Sequence, residues 1–157
     1  MHFERESQVY KTLTKICRRL DEVGIPYAVA GGMAMFLHGY RRFTEDVDIL
    51  VTEDGLQKIH EEFVGLGYTR PVEASKNLRD AEHGVRIDFL VAGQFPGDGL
   101  PKPVSFPDPE GNTLEVAGIK LLALERLVEL KPASGTAAHR LQDLADVREL
   151  IKVLKLE

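Results

Sequence analysis

The sequence has little that would place it in a membrane or in an oxidising compartment. Its 157 residues include one cysteine, Cys17, and no tryptophan. A single cysteine cannot form an internal disulfide, which fits a reducing cytosol. No apolar run approaches the length of a membrane span, and the charged first residues lead into no signal-type apolar stretch. We therefore expect a cytoplasmic protein that is independent of disulfides and membranes.

The sequence also lacks internal repeats and low-complexity tracts. Apolar residues make up 43% of the chain, which is enough for a hydrophobic core. The length is normal for one domain, so we expect a single domain, 1–157, with an N-terminal helix (1–24), a sheet region (25–116) and C-terminal helices (117–157). The formal net charge of −5 argues against bulk nucleic-acid binding, although it leaves room for a local basic patch.

Hydrophobic periodicity predicts an irregular alternation of helices and strands. Helical spacing predicts helices over 6–23, 119–130 and 136–154. Short apolar or alternating runs predict buried strands over 27–30, Val47–Val51 and 85–91. The segments 104–106 and Thr113–Val116 flank a turn-rich stretch and predict an edge hairpin. The irregular order favours an α+β fold with a mixed, twisted sheet and helices mainly on one face, followed by C-terminal helices.

The chain is organised around residues 27–51. A short apolar strand ends at Gly31 and Gly32, which allow a sharp turn with exposed backbone N–H groups. A short helix follows, and a second strand then begins at Asp46. Strand periodicity puts Asp46 and Asp48 on one face. Two carboxylates beside a glycine-rich helix start predict a site for metal ions and a phosphate chain.

Asp88 supplies a third candidate carboxylate, from the strand predicted over 85–91. Three carboxylates on neighbouring strands would suit two-metal phosphoryl transfer with Mg²⁺. Asp46 and Asp48 would ligate both ions, and Asp88 would ligate one ion or accept a proton. Each part alone has a simpler structural explanation, such as a plain turn, solvated aspartates, or pairing of Asp88 with Arg86 or Arg42. Their combination and order favour the functional interpretation.

One run of the sequence joins the glycine turn to the aspartate pair: Gly31-Gly32-x-Ala34-x-x-x-His38-Gly39-x-x-Arg42-x-Thr44-x-Asp46-x-Asp48. This run resembles the nucleotidyltransferase superfamily, which has the DNA polymerase β-like fold. Within it, the chain looks most similar to the small proteins related to the AbiEii toxin. Asp88 matches their later strand carboxylate, a predicted helix around Lys120 matches their lysine-bearing helix, and a predicted helix around Asp143 matches their acidic helix. The resemblance spans about 27–150.

The resemblance implies transfer of NMP from an NTP to a hydroxyl, with catalytic and metal-binding roles for Asp46, Asp48 and Asp88. It implies two Mg²⁺ ions, with Mn²⁺ as a substitute. The residues that it assigns to nucleotide binding are Gly31, Gly32, Arg42, Thr44, Lys120 and Asp143, with Arg126 as an alternative to Lys120.

Three functions remain open at this stage. One is a transferase acting on RNA or protein, toxin-like and paired with an antitoxin. Another is an inactive nucleotide-binding or partner-binding module of the same fold. The third is a small-molecule transferase of the antibiotic-modifying type.

Overall fold

The computed structural model of the chain describes residues 2–39, 46–72, 75–95, 100–101, 104–127 and 130. The helices are α1 (His2–Val23), α2 (Gly31–Leu37) and α3 (Glu53–Phe63). The strands are β1 (Ala28–Ala30), β2 (Val47–Val51), β3 (Tyr68–Thr69), β4 (Leu78–Asp80), β5 (Arg86–Val91), β6 (Thr113–Val116) and β7 (Ile119–Leu122).

All seven strands form one sheet in the order β3-β4-β5-β2-β1-β7-β6. Strand β2 runs parallel to β5, and β1 runs parallel to β7. The other neighbouring strands are antiparallel. A mixed sheet with helices confirms the predicted α+β class. The three strands predicted around the aspartates are present as β1, β2 and β5, and β2 lies between the other two.

Helix α1 supplies a large part of the core. Its residues Val9, Leu13, Ile16 and Leu20 recur with helical spacing and are at most 1% exposed. The helix contacts β2 and β7, so its apolar stripe covers the centre of the sheet. Burying such side chains stabilises the fold by about 1.5–3 kcal/mol each. The amphipathic pattern that predicts this helix also gives its buried face correctly.

A buried carboxylate connects α1 to β4. Asp80 is fully buried, and it accepts hydrogen bonds from Thr12 Oγ1 at 2.7 Å and from Lys15 Nζ at 2.6 Å. The backbone N–H of Glu82 donates a third bond at 3.0 Å. Burial by itself would raise the pKa of Asp80, but the bonds from Lys15 and Thr12 outweigh it and hold the pKa below its usual value. The helix and the strand are therefore joined through an ionised group.

The structure corrects two predictions near the end of the described chain. Residues 119–122, predicted to begin a helix, form β7 instead, which lies between β1 and β6. Strand β6 pairs with β7 rather than with the segment 104–106. The apolar run after Gly118 suits a helix by its spacing, but two neighbouring strands offer its backbone a ladder on both sides, and tertiary pairing overrides local preference.

Two further predictions concern the C-terminal helix and the internal boundaries of the chain. The helix predicted over 136–154 lies outside the described residues, and the division of the chain at 24 and 116 remains a prediction. None of the described helices combines the length and the apolarity needed to cross a bilayer.

Candidate active site

Gly31 brings the first turn of α2 against the Asp48 carboxylate. Its φ is +61°, in the left-handed region that favours glycine. A Cβ atom at this position would overlap the Asp48 carboxylate, and it would lie only 2.9 Å from the Asp48 Cγ. The adjoining N-cap residue, Ala30, gives the helix no side-chain cap. The glycine turn and the Asp-x-Asp pair, which are separate in sequence, therefore meet at one place.

Asp48 and Asp88 lie side by side on β2 and β5. The parallel register pairs Asp48 with Asp88 directly, and Val47 with Ile87. Paired residues on neighbouring strands point to the same face, with the strands about 4.8 Å apart. Asp46 precedes β2 at a bend and, by strand periodicity, shares this face. All three side chains are partly exposed, so the face is open to solvent.

Arg86 lies within this acidic face. Its Nε donates to Asp88 Oδ1 at 2.6 Å, and the two side chains are 50% and 23% exposed. The pKa of Arg86 lies above its usual value, because the hydrogen bond and charge of Asp88 favour the cation. The charges of Asp46 and Asp48 add smaller contributions in the same direction. Arg86 therefore interacts electrostatically with the whole group, and not with Asp88 alone.

The donor set suits a hard divalent cation. Carboxylate oxygens are the ligands that Mg²⁺ and Mn²⁺ prefer, and Gly31, which lacks a Cβ atom, makes room for the Asp48 carboxylate. Within the described ranges, however, no three His, Cys, Asp or Glu side chains form a ready-made metal group. Asp88 accepts a hydrogen bond from Arg86, so that contact has to open before its carboxylate can hold an ion. The metal-binding roles of the three aspartates therefore stay predictions.

Lys120, predicted to contact nucleotide, lies on β7, which β1 separates from β2. Its Nζ is 3.5 Å from Asp21 Oδ1 and 5.5 Å from the centre of the Tyr27 ring. These groups line a cleft of about 420 Å³ between the end of α1 and the 109–111 segment. The structure therefore does not bring Lys120 to Asp48 or Asp88, and its phosphate role stays a prediction.

The remaining predicted residues divide into two groups. Gly32 lies in the first turn of α2, beside Gly31, and Arg126 lies in a short helical turn after β7. Arg42, Thr44 and Asp143 lie outside the described residues.

Two features of the structure carried little or no signal in the sequence. Arg86 was weighed only as a partner that would make Asp88 structural, and its position among three carboxylates depends on the β2–β5 register. The hydrogen bonds of Asp80 connect it to Lys15 and Thr12, which lie 65 and 68 positions earlier in the chain. No local motif indicates these contacts. His38 lies at the C-terminal end of α2, and its Nε2 is 2.9 Å from the Leu122 carbonyl oxygen.

Comparison with known proteins identifies the family. The family model of aminoglycoside-2''-adenylyltransferases matches residues 12–117, a range that includes β1, α2, β2 and β5. The chain belongs to this family. Membership makes it a nucleotidyltransferase, and therefore an enzyme. The match contains the glycine turn and all three aspartates of the site.

Solved structures share the fold of this family member. A candidate nucleotidyltransferase from Thermotoga maritima is 20% identical, with a TM-score of 0.57 over 94% of this chain and 93% of that one. The lincosamide antibiotic adenylyltransferase LnuA, solved with lincomycin bound, is 16% identical, with a TM-score of 0.61 over 89% and 96%. ANT(2'')-Ia, solved with adenylyl-2''-tobramycin, is 16% identical, with a TM-score of 0.55 over 94% of each chain. A search of curated proteins found no match.

Proposed function

We propose that this nucleotidyltransferase moves AMP from ATP to a hydroxyl group of a small-molecule acceptor. The observation that carries the proposal is the pairing of Asp48 with Asp88 on adjacent parallel strands, against the backbone of Gly31. The choice of AMP and of a small acceptor is supported by the family's description and by the two antibiotic adenylyltransferases with the same fold.

In the proposed reaction, the acceptor oxygen forms a bond to the α-phosphorus of ATP. The bond from that phosphorus to the α,β-bridging oxygen breaks, and pyrophosphate leaves with the electron pair. The proton of the acceptor hydroxyl passes to Asp88, once Arg86 no longer occupies that carboxylate. The N–H groups of Gly31 and Gly32 would bind phosphate oxygens. Arg42, Thr44, Lys120 and Asp143 remain proposed nucleotide contacts.

Asp46, Asp48 and Asp88 would hold the divalent cations, proposed as two Mg²⁺ ions that Mn²⁺ can replace. Bound there, the metal would neutralise the phosphates and stabilise charge that develops during transfer. What the chain itself contributes is a set of hard oxygen donors on one sheet face, with the glycine backbone at residue 31 packed against Asp48.

The charge of the protein favours a cationic acceptor. With a formal net charge of −5 and an acidic site, the protein attracts polycations and repels nucleic acid. Aminoglycosides carry several protonated amines, so they are the first acceptors to test, with lincosamides second. An RNA acceptor of the AbiEii-toxin type, with a cognate antitoxin, has less support. We expect the enzyme to act in the cytoplasm, where NTPs are available, as a single domain.

A transfer assay tests the proposal. The protein is incubated with ATP labelled at the α-phosphate, with and without Mg²⁺ or Mn²⁺, and with aminoglycosides, lincosamides, total RNA or no acceptor. We expect metal-dependent label on an aminoglycoside. Label on RNA would replace the proposal with the toxin-like function, and label on the protein would indicate self-modification. Tight ATP binding with no transfer to any acceptor would favour the inactive module.

Asp48→Asn supplies the matched test of the site. The change removes a charged ligand but keeps the size of the side chain, so transfer should fall about a thousandfold, equivalent to about 4 kcal/mol of transition-state stabilisation. Thermal stability should not fall, because the site gathers several negative charges. Asp143→Asn should lose less activity. Equal and mild losses in the two variants would contradict a metal-binding role for Asp48.

A further inference from the structure

Arg86 is a cation built into the sheet face that carries the three aspartates. On β5, Arg86 and Asp88 are two residues apart and share this face. On β2, Asp48 pairs with Asp88. Continuing the same parallel register backward brings Asp46 beside Arg86. The four side chains therefore form two adjacent rows, with three carboxylates and one guanidinium.

The contact with Arg86 occupies the Asp88 carboxylate, which would be needed to bind a metal ion. The Nε–Oδ1 distance is 2.6 Å, the length of a short charge-assisted hydrogen bond. Asp88 is 23% exposed, so its charge gains from a close partner. Arg86 is 50% exposed and can therefore leave without opening the core. Its position suits a counter-charge that is replaced, rather than a fixed structural support.

We propose that Arg86 is an internal counter-cation, which pairs with Asp88 in the free protein and must be displaced before a divalent cation can use that carboxylate. This inference rests on the proposed function, in which the three aspartates hold metal. Under this proposal, Arg86 is a positioning residue that controls when the metal binds. Free protein should bind the metal weakly, because the ion competes with a charge already in place.

The triphosphate of ATP gives Arg86 another anion to pair with. Binding of the nucleotide should therefore draw the guanidinium from Asp88 and raise the affinity for the metal. Because coupling between two ligands is reciprocal, the metal should raise the affinity for the nucleotide by the same factor. The device would keep the empty site from holding a divalent ion tightly until a nucleotide arrives.

Arg79 provides a matched control. It lies on β4 as the register partner of Arg86, so it carries the same charge one strand away. Its Nη1 donates instead to the Gly84 carbonyl oxygen at 2.6 Å. Arg79→Gln therefore changes the net charge as Arg86→Gln does, but leaves the contact with Asp88 intact.

The test measures Mn²⁺ binding by electron paramagnetic resonance, which needs no turnover. Wild type, Arg86→Gln, Arg79→Gln and Asp48→Asn are each titrated alone and with α,β-methylene-ATP, which cannot transfer AMP. Without nucleotide, Arg86→Gln should bind Mn²⁺ at least about tenfold more tightly than wild type, and Arg79→Gln should stay within about twofold. The analogue should tighten Mn²⁺ binding strongly in wild type and much less in Arg86→Gln.

The possible failures are distinct. Equal Mn²⁺ affinities of wild type and Arg86→Gln, both abolished by Asp48→Asn, would overturn the role of Arg86 and leave the metal site standing. Weaker binding in Arg86→Gln would overturn it too, because Arg86 would then support the site. Equal tightening in both arginine variants would reduce the effect to net charge and also overturn the proposal. No Mn²⁺ binding by any form, with or without the analogue, would overturn the metal site itself.

Discussion

At the scale of single residues, Gly31 makes room for the Asp48 carboxylate, which lies where a Cβ atom of residue 31 would be. Gly31→Ala should damage the site twice, because φ is +61° and because the new Cβ overlaps the carboxylate. The backbone strain alone costs about 1–2 kcal/mol. Displacing Asp48 or the turn should add to that cost and remove most of the transfer activity.

Gly118→Ala is the matched control for Gly31→Ala. Gly118 has a φ of +82°, but no atom lies within 4 Å of the place where its Cβ would be. It should therefore pay the backbone cost without loss of activity. Urea unfolding and the transfer assay of both variants measure the difference. Equal stability and equal activity would mean that Gly31 is only a turn residue.

Strand periodicity predicts that Asp46 and Asp48 share one face, and the alternation around Asp88 was enough to predict the strand that carries it, which is present as β5. That these strands are neighbours was an expectation. The register that pairs Asp48 with Asp88 was not predicted, because register depends on the whole sheet. The Arg86–Asp88 contact was one of two alternatives for Asp88. The sequence contains no distances between side chains, so it does not decide which arginine pairs with Asp88.

At the scale of elements, β7 shows where local pattern fails. The residues after Gly118 have a spacing that suits a helix, yet Leu121 pairs with Val29 on β1 and with Leu114 on β6. A segment between two strands satisfies its backbone through the sheet, and its apolar side chains suit either structure. By contrast, α1 was predictable because its stripe is long and its periodicity is clear.

The pair Leu121 and Leu114 tests the position of β7. They face each other across the β6–β7 ladder, but Leu121 is fully buried and Leu114 is 51% exposed. Leu121→Ala should cost about 2–5 kcal/mol of unfolding free energy, because it leaves a cavity. Leu114→Ala should change it by about 0.5 kcal/mol or less. Urea denaturation measures both, and similar losses would argue against the strand.

The link between α1 and β4 predicts a pH dependence of stability. Asp80→Asn removes the charge to which Lys15 and Thr12 donate hydrogen bonds, and it should cost about 1.5–3 kcal/mol at neutral pH. The pKa of Asp80 is lowered by folding, so its contribution is present above the unfolded value of about 3.9. It is lost as the pH falls through the folded pKa. The difference between wild type and variant should hold from about pH 5 to 8 and shrink below about pH 4.

Glu82→Gln is the control for Asp80→Asn. Its carboxylate also approaches Lys15 Nζ, at 3.1 Å, but the side chain is 66% exposed. Water screens such a pair, so the loss should be about 0.5 kcal/mol or less. Thermal and urea unfolding of the three proteins across this pH range make the comparison. A gap between wild type and Asp80→Asn that widens toward acid would contradict an ionised Asp80 in the fold.

At the scale of the whole molecule, Cys17 reports on global opening. It is the sole cysteine of the chain. It lies on α1, and it is 1% exposed in the hydrophobic core. Burial raises the pKa of its thiol to about 12. Since the thiolate is the reactive form, the raised pKa and the burial of the thiol should both slow its modification. Labelling therefore has to pass through unfolding.

This makes thiol labelling a test of ligand binding to the fold as a whole. A ligand that binds only the folded state lowers the unfolded fraction by 1 + [L]/Kd. ATP with Mg²⁺ at about one hundred times its Kd should therefore slow labelling of Cys17 about a hundredfold, where opening and closing are fast relative to modification. A Cys17→Ala/Ser105→Cys variant serves as the control, because residue 105 is exposed. The thiol at position 105 should react quickly, at a rate that ATP does not change. If Cys17 reacts as fast as the thiol at position 105, the thiol is accessible in the folded state, and α1 does not cover the core as described.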